Sequence, residues 1–236
     1  MKFRTLLIVG AAASLACSAA WANIISFTGN GFAASDGRPN NATADFNFLD
    51  ATHLTITLTN TGHAGQVGGI SSSLSGIDFT LGGTGGGGTI TGSSAVNSVN
   101  CTAGLAACVF TAPPAGPWGW TLAGTSNFAL EAGAGSGKNY AIVNSNVTGN
   151  TDGIKNAQHN PYLNGPAVFQ LTFSGGNLSS ANLSNVVFVF GTSRDTQTGN
   201  GCTTNCGDVN VPEPATLALM GLGLAAAALS RRKKRA

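Results

Sequence analysis

The stretch Leu54-Thr55-Ile56-Thr57-Leu58-Thr59 decides the fold class, because its apolar side chains alternate strictly with threonine. Side chains along a β-strand point alternately to the two faces of a sheet, so this pattern predicts a half-buried strand. The same alternation occurs at residues 44–48 and 169–173. Residues 186–190 are continuously apolar, which is typical of a strand buried on both faces. The middle of the chain is therefore predicted to be β-structure.

Shorter stretches of the same kind predict further strands, and clusters of glycine and asparagine separate many of them. These stretches lie at residues 77–81, 89–91, 108–111, 118–122, 127–131 and 140–144. Many short strands with turn residues between them are typical of antiparallel sandwiches, so we expect an all-β, jelly-roll-like β-sandwich. Its expected core consists of apolar residues on these strands: Phe46, Phe48, Leu54, Ile56, Leu58, Phe79, Trp120, Phe169, Leu171, Phe173, Phe188 and Phe190.

The amino terminus has the pattern of a secretory signal peptide. Lys2 and Arg4 precede an apolar run at residues 6–16 that predicts the helix of such a leader. The sequence Ala20-Trp21-Ala22 then matches the small-x-small cleavage site of these leaders. We therefore expect signal peptidase to cut after Ala22, so that the mature chain begins at Asn23.

The cysteines agree with export. Cys17 leaves with the leader, although the imperfect lipoprotein box Ser14-Leu15-Ala16-Cys17 offers lipidation as an alternative. The four others, Cys101, Cys108, Cys202 and Cys206, form the even number that is typical of exported chains with disulfides. Because each cluster is short, we predict that Cys101 pairs with Cys108 and Cys202 with Cys206. A zinc site is the alternative, but the spacings do not match the C-x2-C pairs of common structural zinc sites.

The formal net charge of +2 is a property of the two ends. Between residues 23 and 214 there are only four basic side chains, Arg38, Lys138, Lys155 and Arg194, against nine acidic ones, a formal charge of −5. Nucleic-acid binding needs a basic patch on the folded part of a protein. The charge balance therefore argues against a nucleic-acid partner.

The carboxyl terminus has three parts in sequence. Val211-Pro212-Glu213-Pro214 is followed by an apolar run at residues 215–229 and then by the basic cluster Arg231, Arg232, Lys233, Lys234 and Arg235. A helix over the apolar run spans roughly 22 Å, which is short of the roughly 30 Å of a bilayer core. The basic cluster is expected to stay on the cytoplasmic side. We predict a marginal transmembrane helix preceded by an extended, accessible segment.

This three-part terminus resembles the PEP-CTERM sorting signal of Gram-negative bacteria, which is read by a membrane-embedded exosortase. The stretches at residues 54–62, 76–81, 159–175 and 186–192 are also similar to strands of PEP-CTERM surface proteins. The resemblance implies transient anchoring in the inner membrane, processing near the motif, and delivery to the cell surface or extracellular matrix, often in biofilm bacteria that make exopolysaccharide. It divides the chain into a signal peptide (1–22), an exported β-domain (23–210) and a sorting signal (211–236).

No catalytic set can be assembled from the sequence. The three histidines, His53, His63 and His159, accompany neither a His-Glu-x-x-His pattern nor a Gly-x-Ser-x-Gly elbow. We therefore predict no catalytic residue, no metal and no cofactor. The expected function is that of a non-enzymatic surface or matrix protein, with exosortase and signal peptidase as processing enzymes and polysaccharide as a partner.

The sequence is compatible with two alternatives. A secreted carbohydrate-active hydrolase would need two carboxylates that converge in one cleft. A calcium-dependent, lectin-like module would draw oxygen ligands from residues 195–201 or 144–152, although neither stretch fits the common calcium loop. Trp118 and Trp120 would share one face of a regular strand, either as a surface for stacking sugars or as part of the core.

Overall fold

The computed structural model describes residues 23–32, 39–62, 70–101, 108–133, 138–145, 147, 156–192 and 194–204. Within them the chain forms β-strands joined by turns, including short 3-10 turns at Ile70–Ser72, Ala157–His159 and Ser180–Asn182. The strands are β1 (Asn23–Phe32), β2 (Pro39–Phe48), β3 (His53–Asn60), β4 (Leu74–Leu81), β5 (Gly88–Asn100), β6 (Val109–Thr111), β7 (Thr121–Ala123), β8 (Asn127–Glu131), β9 (Ile142–Val143), β10 (Tyr162–Phe173), β11 (Leu183–Phe190) and β12 (Asp195–Thr204).

The strands join in one hydrogen-bonded order, β6-β5-β10-β3-β2-β1-β12-β11-β4-β8-β7. The pairs along this order are antiparallel, as expected. The two-residue strand β9 pairs in parallel with β10 and antiparallel with β4, which lie far apart in the order. The sheet must therefore curl until β10 and β4 approach the same short strand.

Aromatic side chains from the two halves of this order meet in the interior. The ring of Phe46 on β2 lies 5.3 Å from that of Phe79 on β4, centroid to centroid. The rings of Phe128 on β8 and Phe173 on β10 are also 5.3 Å apart. Contacts of this kind join strands that are not neighbours in the sheet, so the curled sheet encloses a single core. Every residue of the predicted core is buried.

The all-β prediction is confirmed, with three differences in detail. A sandwich has two separate facing sheets, whereas the described strands form one sheet with continuous hydrogen bonding. The sequence did not predict β1 and β12, which pair with each other in the middle of the order. Residues 118–119 form a turn instead of the start of a strand. No helix among the described residues has the length and apolar character needed to cross a bilayer. The predicted signal-peptide and transmembrane helices lie outside the described residues.

One end of the sheet, which we call the basal end, gathers the start of β1, the end of β12 and four turns. The turns are residues 49–52, 82–87, 124–126 and 174–179. Backbone bonds connect them: Leu178 donates to Ala51 at 3.0 Å, and Gly175 donates to Thr84 at 2.8 Å. The Thr84 hydroxyl also donates to the carbonyl oxygen of Thr125 at 2.6 Å. The basal end is thus a connected set of turns.

Candidate functional site

The outer face of β4 and β8 carries a network of four charged side chains. Asp78 on β4 and Glu131 on β8 lie on neighbouring strands, because Asp78 is opposite Ala129 in the register. Arg194 comes from the turn before β12 and donates from Nη2 to Asp78 Oδ2 at 2.8 Å. Its Nη1 also contacts a carboxylate oxygen of Glu131. A single guanidinium therefore holds both carboxylates.

Lys138 completes the network from the other side of Glu131, with 3.1 Å between Nζ and Oε2. The Lys138 side chain is almost fully buried, and this burial lowers the pKa of Lys138, while the negative charge of Asp78 acts in the opposite direction. Lys138 and Arg194 both have positive φ, 44° and 57°. Residues with side chains rarely adopt this conformation, so the surrounding contacts must hold both turns.

A shallow depression of about 250 Å³ lies beside this network. Its wall includes Asp78 and Arg194 together with three uncharged polar side chains, Thr80, Asn127 and Asn185. The Thr80 hydroxyl donates to Asn127 Oδ1 at 2.8 Å, and Asn185 Nδ2 donates to Thr80 Oγ1 at 3.3 Å. Amides, a hydroxyl, a carboxylate and a guanidinium can together bind a ligand rich in hydroxyl groups. Across the described parts of the chain, potential metal ligands do not gather in groups of three.

The predicted Cys101–Cys108 disulfide is present. It joins the end of β5 to the start of β6, and it closes a loop with a sequence separation of 7. The Cys101 backbone nitrogen donates to Asn160 Oδ1 at 2.7 Å, which fixes this corner to the turn before β10. Cys202 lies in β12, whereas Cys206 lies outside the described residues, so the second pair stays a prediction.

The Trp118-Gly119-Trp120 segment belongs to the core, and a sugar-stacking surface is not formed there. Both indole rings are buried, and both contact the ring of Phe169. Trp118 has φ of 53° and Gly119 has φ of 76°, so the turn brings both rings inward without a regular strand. Each indole nitrogen is bonded, Trp118 to Pro114 O at 2.6 Å and Trp120 to Tyr140 O at 3.0 Å.

The two histidines in the described part of the chain, His53 and His159, lie in different parts of the fold. His53 is exposed at the start of β3, where its Nδ1 lies 2.7 Å from Asp50 Oδ2. His159 is buried in the 3-10 turn Ala157–His159. His63 lies outside the described residues.

The calcium alternative is not supported by the described backbone. Residues 195–201, which would have supplied oxygen ligands from a loop, belong to strand β12 instead. In the second stretch, Asn144 donates from Nδ2 to the carbonyl oxygen of Gly62. The amide of Asn144 is thus engaged in the structure. Residue 146 and residues 148–152 lie outside the described residues.

Most of the predicted processing residues also lie outside the described residues. These are Ala20, Ala22, Val211, Pro212, Glu213, Pro214, Arg231, Arg232, Lys233, Lys234 and Arg235. Asn23, the expected first residue of the mature chain, begins β1 at the basal end. The first described strand therefore begins at the residue that is predicted to start the mature chain.

Comparison with protein families matches residues 210–233 to the PEP-CTERM protein-sorting motif. The chain carries a PEP-CTERM sorting motif. This motif implies export with a membrane-anchored C-terminal sorting signal, which exosortase then processes. It covers the predicted Val-Pro-Glu-Pro stretch, the apolar run and part of the basic cluster. No curated protein is similar enough to the chain to count as a match.

Proposed function

We propose that the chain is a non-enzymatic surface or matrix protein that reaches its destination through its PEP-CTERM motif. The observation that carries this proposal is the match at residues 210–233, directly after a disulfide-bonded β-domain. Signal peptidase removes residues 1–22, the tail holds the protein in the inner membrane for a time, and exosortase then releases it to the cell surface. In this proposal the curled sheet is classed as a jelly-roll-like β-sandwich.

Polysaccharide is the proposed partner of the mature domain, in keeping with a role in an exopolysaccharide or biofilm matrix. The depression beside Thr80, Asn127 and Asn185 supports this, because its amides and hydroxyl match the hydrogen-bonding groups of sugars. The shallow shape of the depression suits a polysaccharide chain that lies across the surface of the sheet. Neither a cofactor nor a nucleic acid is part of this proposal.

The test is the intact mass of the protein from its native host, with and without the exosortase. We expect a C-terminus near Pro214 only in the strain that has the enzyme. A chain that still ends at Ala236 in both strains would overturn the sorting part of the proposal. Retention of the mature protein in gels that contain the host exopolysaccharide tests the binding part separately.

A carbohydrate-active hydrolase is the second candidate, because Asp78 and Glu131 do converge on the outer face of β4 and β8. Such enzymes need two carboxyl groups directed at one substrate bond. Here Arg194 engages both carboxylates and Lys138 engages Glu131, so a substrate would have to compete with two cations of the chain. Release of reducing sugar from the host polysaccharide by the mature protein, abolished in Glu131→Gln, would favour this candidate.

A further inference from the structure

The first and last described strands of the domain place its two ends on the same side of the sheet. Strand β12 ends at Thr204, which lies opposite Ser26 of β1. Strand β1 begins at Asn23, opposite Phe48 at the end of β2. Both the entry and the exit of the chain therefore lie at the basal end of the sheet.

The connection from this end to the sorting motif is short. Residues 205–214 separate Thr204 from the start of the predicted transmembrane run at residue 215. At about 3.5 Å per residue, a fully extended connection of this length reaches no more than about 35 Å. Strand β1 has 10 residues and is about 33 Å long, so the opposite end of the sheet could reach the bilayer only if the connection ran almost fully extended along the whole domain.

The surface of the basal end suits a position next to a bilayer. Of the side chains in its four turns, only Asp50 is charged, and the turn at residues 82–87 consists of five glycines and one threonine. Two of the exposed large hydrophobic residues, Ile24 and Leu49, are also found here. Apolar side chains that are exposed to water gain free energy when they enter the interface of a bilayer.

We propose that the basal end is the membrane-facing surface of the protein before processing, with lipid headgroups as its partner. The inference rests on the membrane-held tail of the proposed function. The predicted leader would join the domain at Asn23, so it is attached to the same end until signal peptidase removes it. The opposite end, which includes the turn between β11 and β12, faces away and is the part presented to other molecules.

Two threonines provide a matched pair for the test. Thr125 lies in a basal turn and Thr192 lies in the turn between β11 and β12, and both are exposed. The full chain is reconstituted in vesicles of phosphatidylethanolamine and phosphatidylglycerol that contain lipids with a spin label on the headgroup. One fluorophore is attached through an unnatural residue in Thr125→p-acetylphenylalanine or in Thr192→p-acetylphenylalanine.

We expect the spin-labelled lipids to quench the label at position 125 several-fold more strongly than the label at position 192. Equal quenching, or stronger quenching at position 192, would overturn the inference. Resistance of the same vesicles to alkaline extraction reports separately whether the tail is integrated. Loss of the protein in that extraction would overturn the membrane-held tail and the inference with it, whereas integration with equal quenching would overturn the inference alone. The circular dichroism of both labelled chains confirms that each is folded.

Discussion

Trp120 packs its ring against Phe169, with 4.6 Å between the ring centroids, and donates from its indole nitrogen to the carbonyl oxygen of Tyr140. Trp118 contacts the same phenylalanine edge-on at 6.2 Å. Both tryptophans of the segment between β6 and β7 therefore pack on the same side chain of β10. A segment that could have displayed aromatic rings to a ligand instead closes one side of the core.

Replacement of this indole is expected to be among the most damaging single changes in the domain. Trp120→Ala should lower the free energy of unfolding by about 3–5 kcal/mol, because it leaves a large cavity against Phe169. Urea denaturation of the mature protein, followed by circular dichroism, measures the loss. The matched control is Val109→Ala on exposed β6, where we expect a change within about 0.5 kcal/mol. Equal losses in the two variants would contradict the assignment of Trp120 to the core.

Tyr162 offers a substitution that should not weaken the fold. Its side chain is fully buried, and its hydroxyl has no hydrogen-bond partner among the described residues. Removing a buried hydroxyl without a partner relieves its desolvation cost, so Tyr162→Phe is expected to raise the free energy of unfolding by about 1 kcal/mol. Urea denaturation measures this change. A decrease of similar size in the free energy of unfolding would instead reveal a hydrogen-bond partner for this hydroxyl.

The same residue predicts how stability changes at alkaline pH. Burial raises the pKa of Tyr162 above its ordinary value of about 10. Above that pH the unfolded chain releases the phenolic proton while the folded chain keeps it, so stability falls as pH rises. Tyr162→Phe should reduce this alkaline fall in urea midpoints measured between pH 9 and 11. Identical slopes in the variant and the unaltered protein would rule out this contribution.

Asp50 should govern part of the stability at acid pH. The backbone nitrogen of Thr52 donates to its carboxylate at 2.7 Å, and together with bonds from the His53 and Thr52 side chains this holds the pKa of Asp50 well below its ordinary range. The unfolded chain then binds a proton at a higher pH than the folded chain, so the stabilisation present above about pH 4 is lost as pH falls below it.

The variant Asp50→Asn separates this titration from the geometry of the turn. Asparagine keeps an acceptor for the Thr52 backbone nitrogen but does not titrate, so its urea midpoint should depend less steeply on pH between 5 and 2. Asp50→Ala removes both the charge and the acceptor, and it should also be less stable than Asp50→Asn at neutral pH. If the urea midpoints of the unaltered protein and both variants changed equally with pH, the proposed contribution of the Asp50 carboxylate to stability would be contradicted.

The disulfide should make a modest contribution because its loop is short. Closing a loop with the separation of Cys101 and Cys108 restricts the unfolded chain by about 2–3 kcal/mol on the chain-entropy model. The double variant Cys101→Ala, Cys108→Ala is therefore expected to unfold with a free energy lower by about that amount. The single variant Ser94→Ala, at an exposed position of β5, serves as the control for a surface change. An unchanged free energy in the double variant would contradict the estimate.

The strands that could be predicted from the sequence are those whose burial alternates. In β3, Leu54, Ile56 and Leu58 are buried while the threonines between them are partly exposed, and this period is visible in the sequence itself. Strand β12 has no such pattern, since its glycines, asparagine and threonines also suit a loop. Its place between β1 and β11 depends on pairing with distant parts of the chain, and local propensity does not encode such pairing.

The network of four charged side chains on the outer face of β4 and β8 could not be predicted from the sequence, for a related reason. Asp78 and Arg194 are separated by 116 positions in the sequence, and only the pairing of β4 with β11 brings them within hydrogen-bonding distance. The single signal available was the scarcity of basic residues, since two of the four in the exported part, Lys138 and Arg194, belong to this network. The disulfide, by contrast, was predictable because its two cysteines lie close together in the chain.

The pairing of β1 with β12 sets the order of events during secretion. The first strand of the domain is completed by the last, so the ladder between Ser26 and Thr204 cannot form until residues 195–204 have crossed the membrane. By then the translocation machinery has received nearly the whole chain, and the sorting motif follows within a few residues. The domain therefore closes only when its tail is about to enter the bilayer, which couples the last step of folding to the arrival of the sorting signal.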